Sequence, residues 1–130
     1  ARARSNDGIA QRDDVDYERI PAEVRPYADE LSANGRWVYV PDYGTVWQPT
    51  GVAAGWRPYA DGRWVMGPYG WYWASYDPWG WAPYHYGRWI FGPRGWCWVP
   101  GGVFSGAWVS WYYGPSYFGW CPLDLMNQVT

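Results

Sequence analysis

Three stretches of the chain repeat one alternation of apolar and small or polar positions: "GRWVYVPDYGTVW" from Gly35, "GRWVMGPYGWYW" from Gly62 and "GRWIFGPRGWCW" from Gly87. The second and third align without a gap as G-R-W-(V/I)-x-G-P-x-G-W-x-W. Period-two alternation of aromatic and β-branched residues around Gly-Pro-x-Gly is the pattern of a β-hairpin, with Pro at the first central turn position and Gly at the turn's ends. With residues 67–70 and 92–95 as turns, Trp64 opposes Trp73, Met66 opposes Trp71, Trp89 opposes Trp98 and Phe91 opposes Trp96. The other face pairs Val65 with Tyr72 and Ile90 with Cys97. In the first copy the loop is longer and Trp37 faces Trp47.

A second phrase follows each hairpin: "GWRPY" from Gly55, "GWAPY" from Gly80 and "GWCPL" from Gly119. The first interval is 25 residues, matching the spacing of the second and third hairpins, and the last unit is longer by "FSGAWVSWYYGPSY". That insertion predicts a further aromatic hairpin around Trp108, Trp111 and Tyr113. A 25-residue unit is too short for a propeller blade, which needs about 40. The fold expected is therefore all-β: an antiparallel meander of about three Trp-rich hairpins, preceded by a short helix within residues 26–33 with Tyr27 and Leu31 on its buried side. Residues 1–16 are almost free of apolar side chains and read as a solvated arm; residues 17–130 read as one domain.

Composition sharpens this picture. There are 14 Trp in 130 residues and no Lys, with a net charge of -2. A unit of 25 residues cannot bury its own apolar face, so rings from neighbouring units must close the core together. Without a basic surface, nucleic acid is not an expected partner. The apolar runs are broken long before the roughly 20 residues that cross a bilayer. The chain begins at Ala1, which reads as a mature protein that has lost its signal, or as a fragment. Cys97 and Cys121 occupy similar settings, "GWCWVP" and "GWCPL". A lone pair in a Lys-free chain suits an oxidising compartment and predicts a disulfide; two free thiols are the alternative.

Candidate chemistry is sparse. His85, the single histidine, has no carboxylate, serine or cysteine near it in sequence, so a hydrogen-bonded structural role is expected over a base or a metal ligand. Asp42, Asp61, Asp77 and Asp124 sit beside turn residues, and the cysteines form no C-x-x-C. No catalytic residues, metal site or cofactor are assigned, and a binding function is expected. The rings of the Gly-Trp phrases and the insertion, namely Trp56, Trp79, Trp81, Trp108, Trp111, Tyr113 and Tyr117, are candidates for an aromatic binding surface. Arg36, Arg63 and Arg88 each precede a strand Trp and are candidates to stack on rings of an adjoining unit.

The ordered phrases "YADELSANGRWVYVPDYGTVWQP", "AAGWRPYADGRWVMGPYGWYWASYDPWGWAPYHYGRW" and "RGWCWVPG…AWVSWYYG…GWCPL" resemble, over residues 27–123, a group of secreted bacterial proteins rich in Tyr-Gly-x-Trp repeats, some standing behind FecR-like domains. The resemblance implies export to the periplasm or surface of a Gram-negative bacterium and no activity. A weaker likeness to choline-binding repeats rests only on Gly-Trp and paired aromatics. Two functions are open at this point. One is an interaction or structural module that binds a protein partner, or further copies of itself, through its rings and the arm of residues 1–16, peripheral to a membrane at most. The other is a carbohydrate-binding module for peptidoglycan or exopolysaccharide.

Overall fold

The computed structural model describes residues 19–130. A 3-10 turn, Arg25–Tyr27, leads into α1, Ala28–Asn34. Eight strands follow as four hairpins: β1 (Gly35–Val40) with β2 (Gly44–Pro49), β3 (Gly62–Gly67) with β4 (Gly70–Ser75), β5 (Arg88–Gly92) with β6 (Gly95–Val99), and β7 (Val109–Tyr113) with β8 (Phe118–Pro122). A short helix, α2 (Trp81–His85), separates the second and third hairpins. The all-β class, the N-terminal helix and the fourth hairpin agree with the sequence reading. Pro26 occupies the first turn of the helical segment, where its missing N–H costs nothing. Leu31 and Ala28 are buried, while Tyr27 is half-buried.

Every cross-strand pair expected from the repeat is present: Trp37 with Trp47, Trp64 with Trp73, Trp89 with Trp98, Met66 with Trp71, and Phe91 with Trp96. The fourth hairpin follows the same rule, with Trp111 opposite Trp120 and Tyr113 opposite Phe118. Each hairpin thus carries a Trp–Trp pair and, two residues nearer its tip on the same face, a second pair that reaches beyond the core. Gly70 and Gly95 close their turns at φ +109° and +87°, a conformation glycine adopts without strain.

The hairpins do not associate in chain order. A bridge between Trp47 and Trp98 joins the first and third into one sheet, ordered β1-β2-β6-β5. The second hairpin stays outside it as a two-stranded sheet of its own, and at β4 the Trp73 N–H donates to the Gly106 carbonyl at 3.0 Å.

Rings from all four hairpins meet in one core with Ile20, Val24, Ala28 and Leu31 of the N-terminal segment. Contacts run from Trp47 through Trp79 (centroids 4.9 Å apart) to Tyr84, Tyr59 and Trp73, and on to Trp64 and Trp120. At its centre lies the end of α2, whose last carbonyls have no helical partner. Aromatic donors from elsewhere supply them. Trp89 Nε1 donates to Pro83 O, Tyr59 Oη to Tyr84 O, Trp108 Nε1 to His85 O and Trp98 Nε1 to Tyr86 O, at 2.7–3.2 Å. Burying a ring while pairing its polar tip is what makes Trp and Tyr usable as core residues.

The disulfide expected between Cys97 and Cys121 is not formed; both thiols are free. Trp96 and Cys97 are successive residues of β6 and point to opposite sheet faces. Cys97 is buried with Val46 and Val99 on the aliphatic face. Cys121 lies with Trp96 in a shallow groove of about 300 Å³ on the other side. The backbone of β6 therefore stands between the two sulfurs.

Candidate functional site

The tips of the second and fourth hairpins border a groove of about 380 Å³. Trp64 and Trp111 form its floor, with ring centroids 4.6 Å apart. Tyr69 and Trp71 rise from the β3–β4 tip, and Tyr113 and Phe118 from the β7–β8 pair. These four rings are 101, 54, 80 and 55 % exposed respectively. The segment of residues 105–107 completes the lining. Gly106 must be glycine here, because a Cβ would stand 2.5 Å from the Trp71 carbonyl oxygen.

His85 holds that segment from behind. It is 2 % exposed, packs against the rings of Trp81 and Phe104, and both its ring and its backbone are tied to Ser105. Nδ1 sits 2.9 Å from the Ser105 carbonyl oxygen, which can only accept, so the proton resides on Nδ1. The Ser105 N–H in turn donates to His85 O at 2.9 Å. Burial pushes the imidazole pKa below its ordinary value, against the opposing pull of the Ser105, Gly106 and Trp73 backbone. An unfolded histidine titrates near pH 6.5, about where exposed imidazoles do. The unfolded chain thus takes up a proton before the folded one does. The stability His85 contributes is present above about pH 6.5 and is lost as pH falls toward its lower folded pKa. Urea unfolding from pH 7.5 to 5.0 is expected to show this decline, and His85→Asn to flatten it. Asp77 shifts the opposite way, raised chiefly by burial, so its folded form takes up a proton before the unfolded chain does and its contribution to stability grows as pH falls; comparison with His85→Asn isolates the histidine's part.

The candidate binding rings separate into distinct environments. Trp111 and Tyr113 are in the groove, and Tyr117 is exposed in the adjoining β7–β8 loop. Trp81 is exposed on α2 next to Phe104. Trp108 is half-buried, donating to His85 O, and Trp56 is half-buried against Trp79 and Trp89. Trp79 is a core residue, 5 % exposed, because its ring fills the space between Trp47 and Tyr84; it is not part of a surface. Of the three arginines, Arg88 stacks on a neighbouring unit, 3.5 Å from the Trp108 ring centroid. Its Nε donates to Asn127 Oδ1 at 3.0 Å, pinning the C-terminal tail. Arg36 and Arg63 lie exposed on their strands, so of the three candidates Arg88 caps a ring.

Tyr69, Trp71, Phe118 and Trp64 were absent from the sequence-derived candidates. The signal for Trp71 was its pairing with Met66 on the Trp face, one step beyond the core pair. Among the described residues no cluster of His, Cys, Asp or Glu has the makings of a metal site, and no helix is long and apolar enough to cross a membrane. Asp77 accepts from Tyr84 Oη at 2.8 Å, a tie that anchors the core ring of Tyr84.

No curated protein and no solved structure matches the chain. A family profile does: DUF6600, a family of unknown function, matches residues 28–127, from the start of α1 into the C-terminal tail, and the chain belongs to that family.

Proposed function

We propose that this chain is an exported, non-enzymatic interaction module that docks on a protein partner through the groove between its second and fourth hairpins. The observation that carries the reading is the set of four exposed rings, Tyr69, Trp71, Tyr113 and Phe118, around a floor of two tryptophans. Contiguous exposed apolar surface of this kind marks interaction sites, and Trp and Tyr are the residues enriched where proteins meet. Export to the periplasm or cell surface, and association with FecR-like domains, rest on the resemblance of the repeat phrases and on the Lys-free composition. The arm of residues 1–16, proposed as a second contact, lies outside the described residues.

The test is a pair of double variants. Trp71→Ala with Tyr113→Ala is expected to abolish co-purification of a defined partner from the native envelope. Tyr39→Ala with Phe91→Ala, at exposed positions of the four-stranded sheet, is expected to leave it intact. Equal recovery with both pairs refutes the groove. Binding to insoluble peptidoglycan or polysaccharide, lost in the first pair alone, replaces the protein partner with a carbohydrate.

A further inference from the structure

Resting on the groove reading, we propose that the ligand is an extended, proline-rich segment of polypeptide. The argument is one of complementary partial charges, and it starts from the indole N–H groups. Six of the 14 tryptophans, at 37, 47, 89, 98, 108 and 120, donate to an acceptor within the protein. The three groove tryptophans are among the eight that do not. Trp64 Nε1 is buried beneath the floor without a partner, as is Trp73 Nε1 next to it. Trp71 and Trp111, which line the groove, donate to no acceptor within the protein.

The rest of the lining does not balance these donors. No charged, amide or imidazole side chain borders the groove; the hydroxyls of Tyr69 and Tyr113 each add a donor together with an acceptor and so leave the excess of donors as it is. The Ser105 hydroxyl is spent locally, donating to Ala107 O at 3.0 Å and accepting from Ala107 N at 3.3 Å. The site therefore offers ring faces and more donors than acceptors, and calls for a ligand rich in acceptors and poor in donors. A sugar brings a donor with nearly every acceptor, and an ordinary strand brings an N–H with each carbonyl; either leaves donors unmatched in a desolvated groove. A polyproline II segment has no N–H at its prolines, presents unpaired carbonyls and enters with little conformational entropy to lose. Its rings lie flat on aromatic side chains, the mode by which aromatic-lined grooves take such segments.

Titration of the full chain with a proline decamer, followed by calorimetry and by the indole N–H resonances, tests this. Saturable binding is expected, with the N–H signals of Trp71 and Trp111 moving and that of Trp47 still. An alanine decamer and an N-acetylglucosamine hexamer are expected to produce neither effect. Trp71→Ala is expected to weaken binding about tenfold or more. Trp71→Phe, which keeps a ring and removes only the donor, is expected to weaken it about fivefold. The proposal is overturned if the decamer moves no groove resonance, if Trp71→Phe binds as tightly as the parent, or if the sugar hexamer binds with the same sensitivity to Trp71→Ala. Should the decamer fail while Trp71→Ala with Tyr113→Ala still loses the protein partner, the ligand class falls and the groove stands. Should that double variant change neither, the groove itself falls.

Discussion

Gly87→Ala is expected to lower the midpoint of thermal unfolding by roughly 10–20 °C, from a loss of about 3–5 kcal/mol. Gly87 has φ +72°, and a Cβ there would stand 2.2 Å from the Val99 carbonyl oxygen and 2.8 Å from Trp98 Nε1. The left-handed backbone alone costs a non-glycine residue about 1–2 kcal/mol. The remainder comes from forcing apart a backbone and an indole that are both packed in the core. The same position opens every repeat. A Cβ at Gly35 would stand 2.6 Å from the Trp47 ring, and one at Gly62 2.7 Å from the Trp73 ring. The leading glycine of each G-R-W phrase is thus the seat of the cross-strand indole two positions inside the hairpin. Gly92→Ala, where nothing lies within 4 Å and φ is ordinary, is the control and is expected to stay within about 0.5 kcal/mol. A Gly87→Ala variant as stable as Gly92→Ala would contradict this account of the repeat.

Trp98→Ala is expected to cost about 3–5 kcal/mol by emptying a fully buried site at the junction of the two sheet-forming hairpins. Substitution by Phe separates the packing from the polar part of that loss. Trp98 Nε1 donates to Tyr86 O at 2.7 Å, so Trp98→Phe leaves a partly buried carbonyl short of a partner. Trp73 is as deeply placed, but its N–H has no acceptor, so Trp73→Phe removes a group already costing stability. Trp98→Phe is therefore expected to be the more destabilising of the two by about 1–3 kcal/mol, read as a shift in urea midpoint at unchanged m-value. Equal losses would mean that the indole donors around the end of α2 do not hold the core together.

The hairpins were legible because everything that specifies them is local. Alternation decides which side chains share a face, and Gly-Pro-x-Gly decides where the chain reverses. A slip of one residue would carry every Trp to the aliphatic face. Hence the Trp64–Trp73 and Trp89–Trp98 pairs could be written from the sequence alone, and the insertion could be read as a fourth hairpin. The helix at Trp81–His85 could not, since its five residues carry a proline and no repeating apolar stripe. It persists because indoles and a phenol from distant elements take up its free carbonyls.

Tertiary structure alone decided which hairpins join and, with that, which rings remain outside. Trp79 and Trp81 are two residues apart in similar surroundings of Gly and Pro, yet one lies in the core and the other is exposed. Cys97 and Cys121 sit in matching phrases, yet a sheet backbone divides them. Trp71 follows the same local pattern as Trp96, yet Trp71 lines the groove between the tips of the second and fourth hairpins while Trp96 lies with Cys121 in the shallower one, because the second hairpin stands apart from the sheet that the third shares with the first. The physical reason is one of range. Turn chemistry and side-chain alternation act within a few residues, whereas exposure depends on whether a neighbour distant in sequence covers the ring, and repeats with nearly identical local sequence carry no mark of which neighbour that will be.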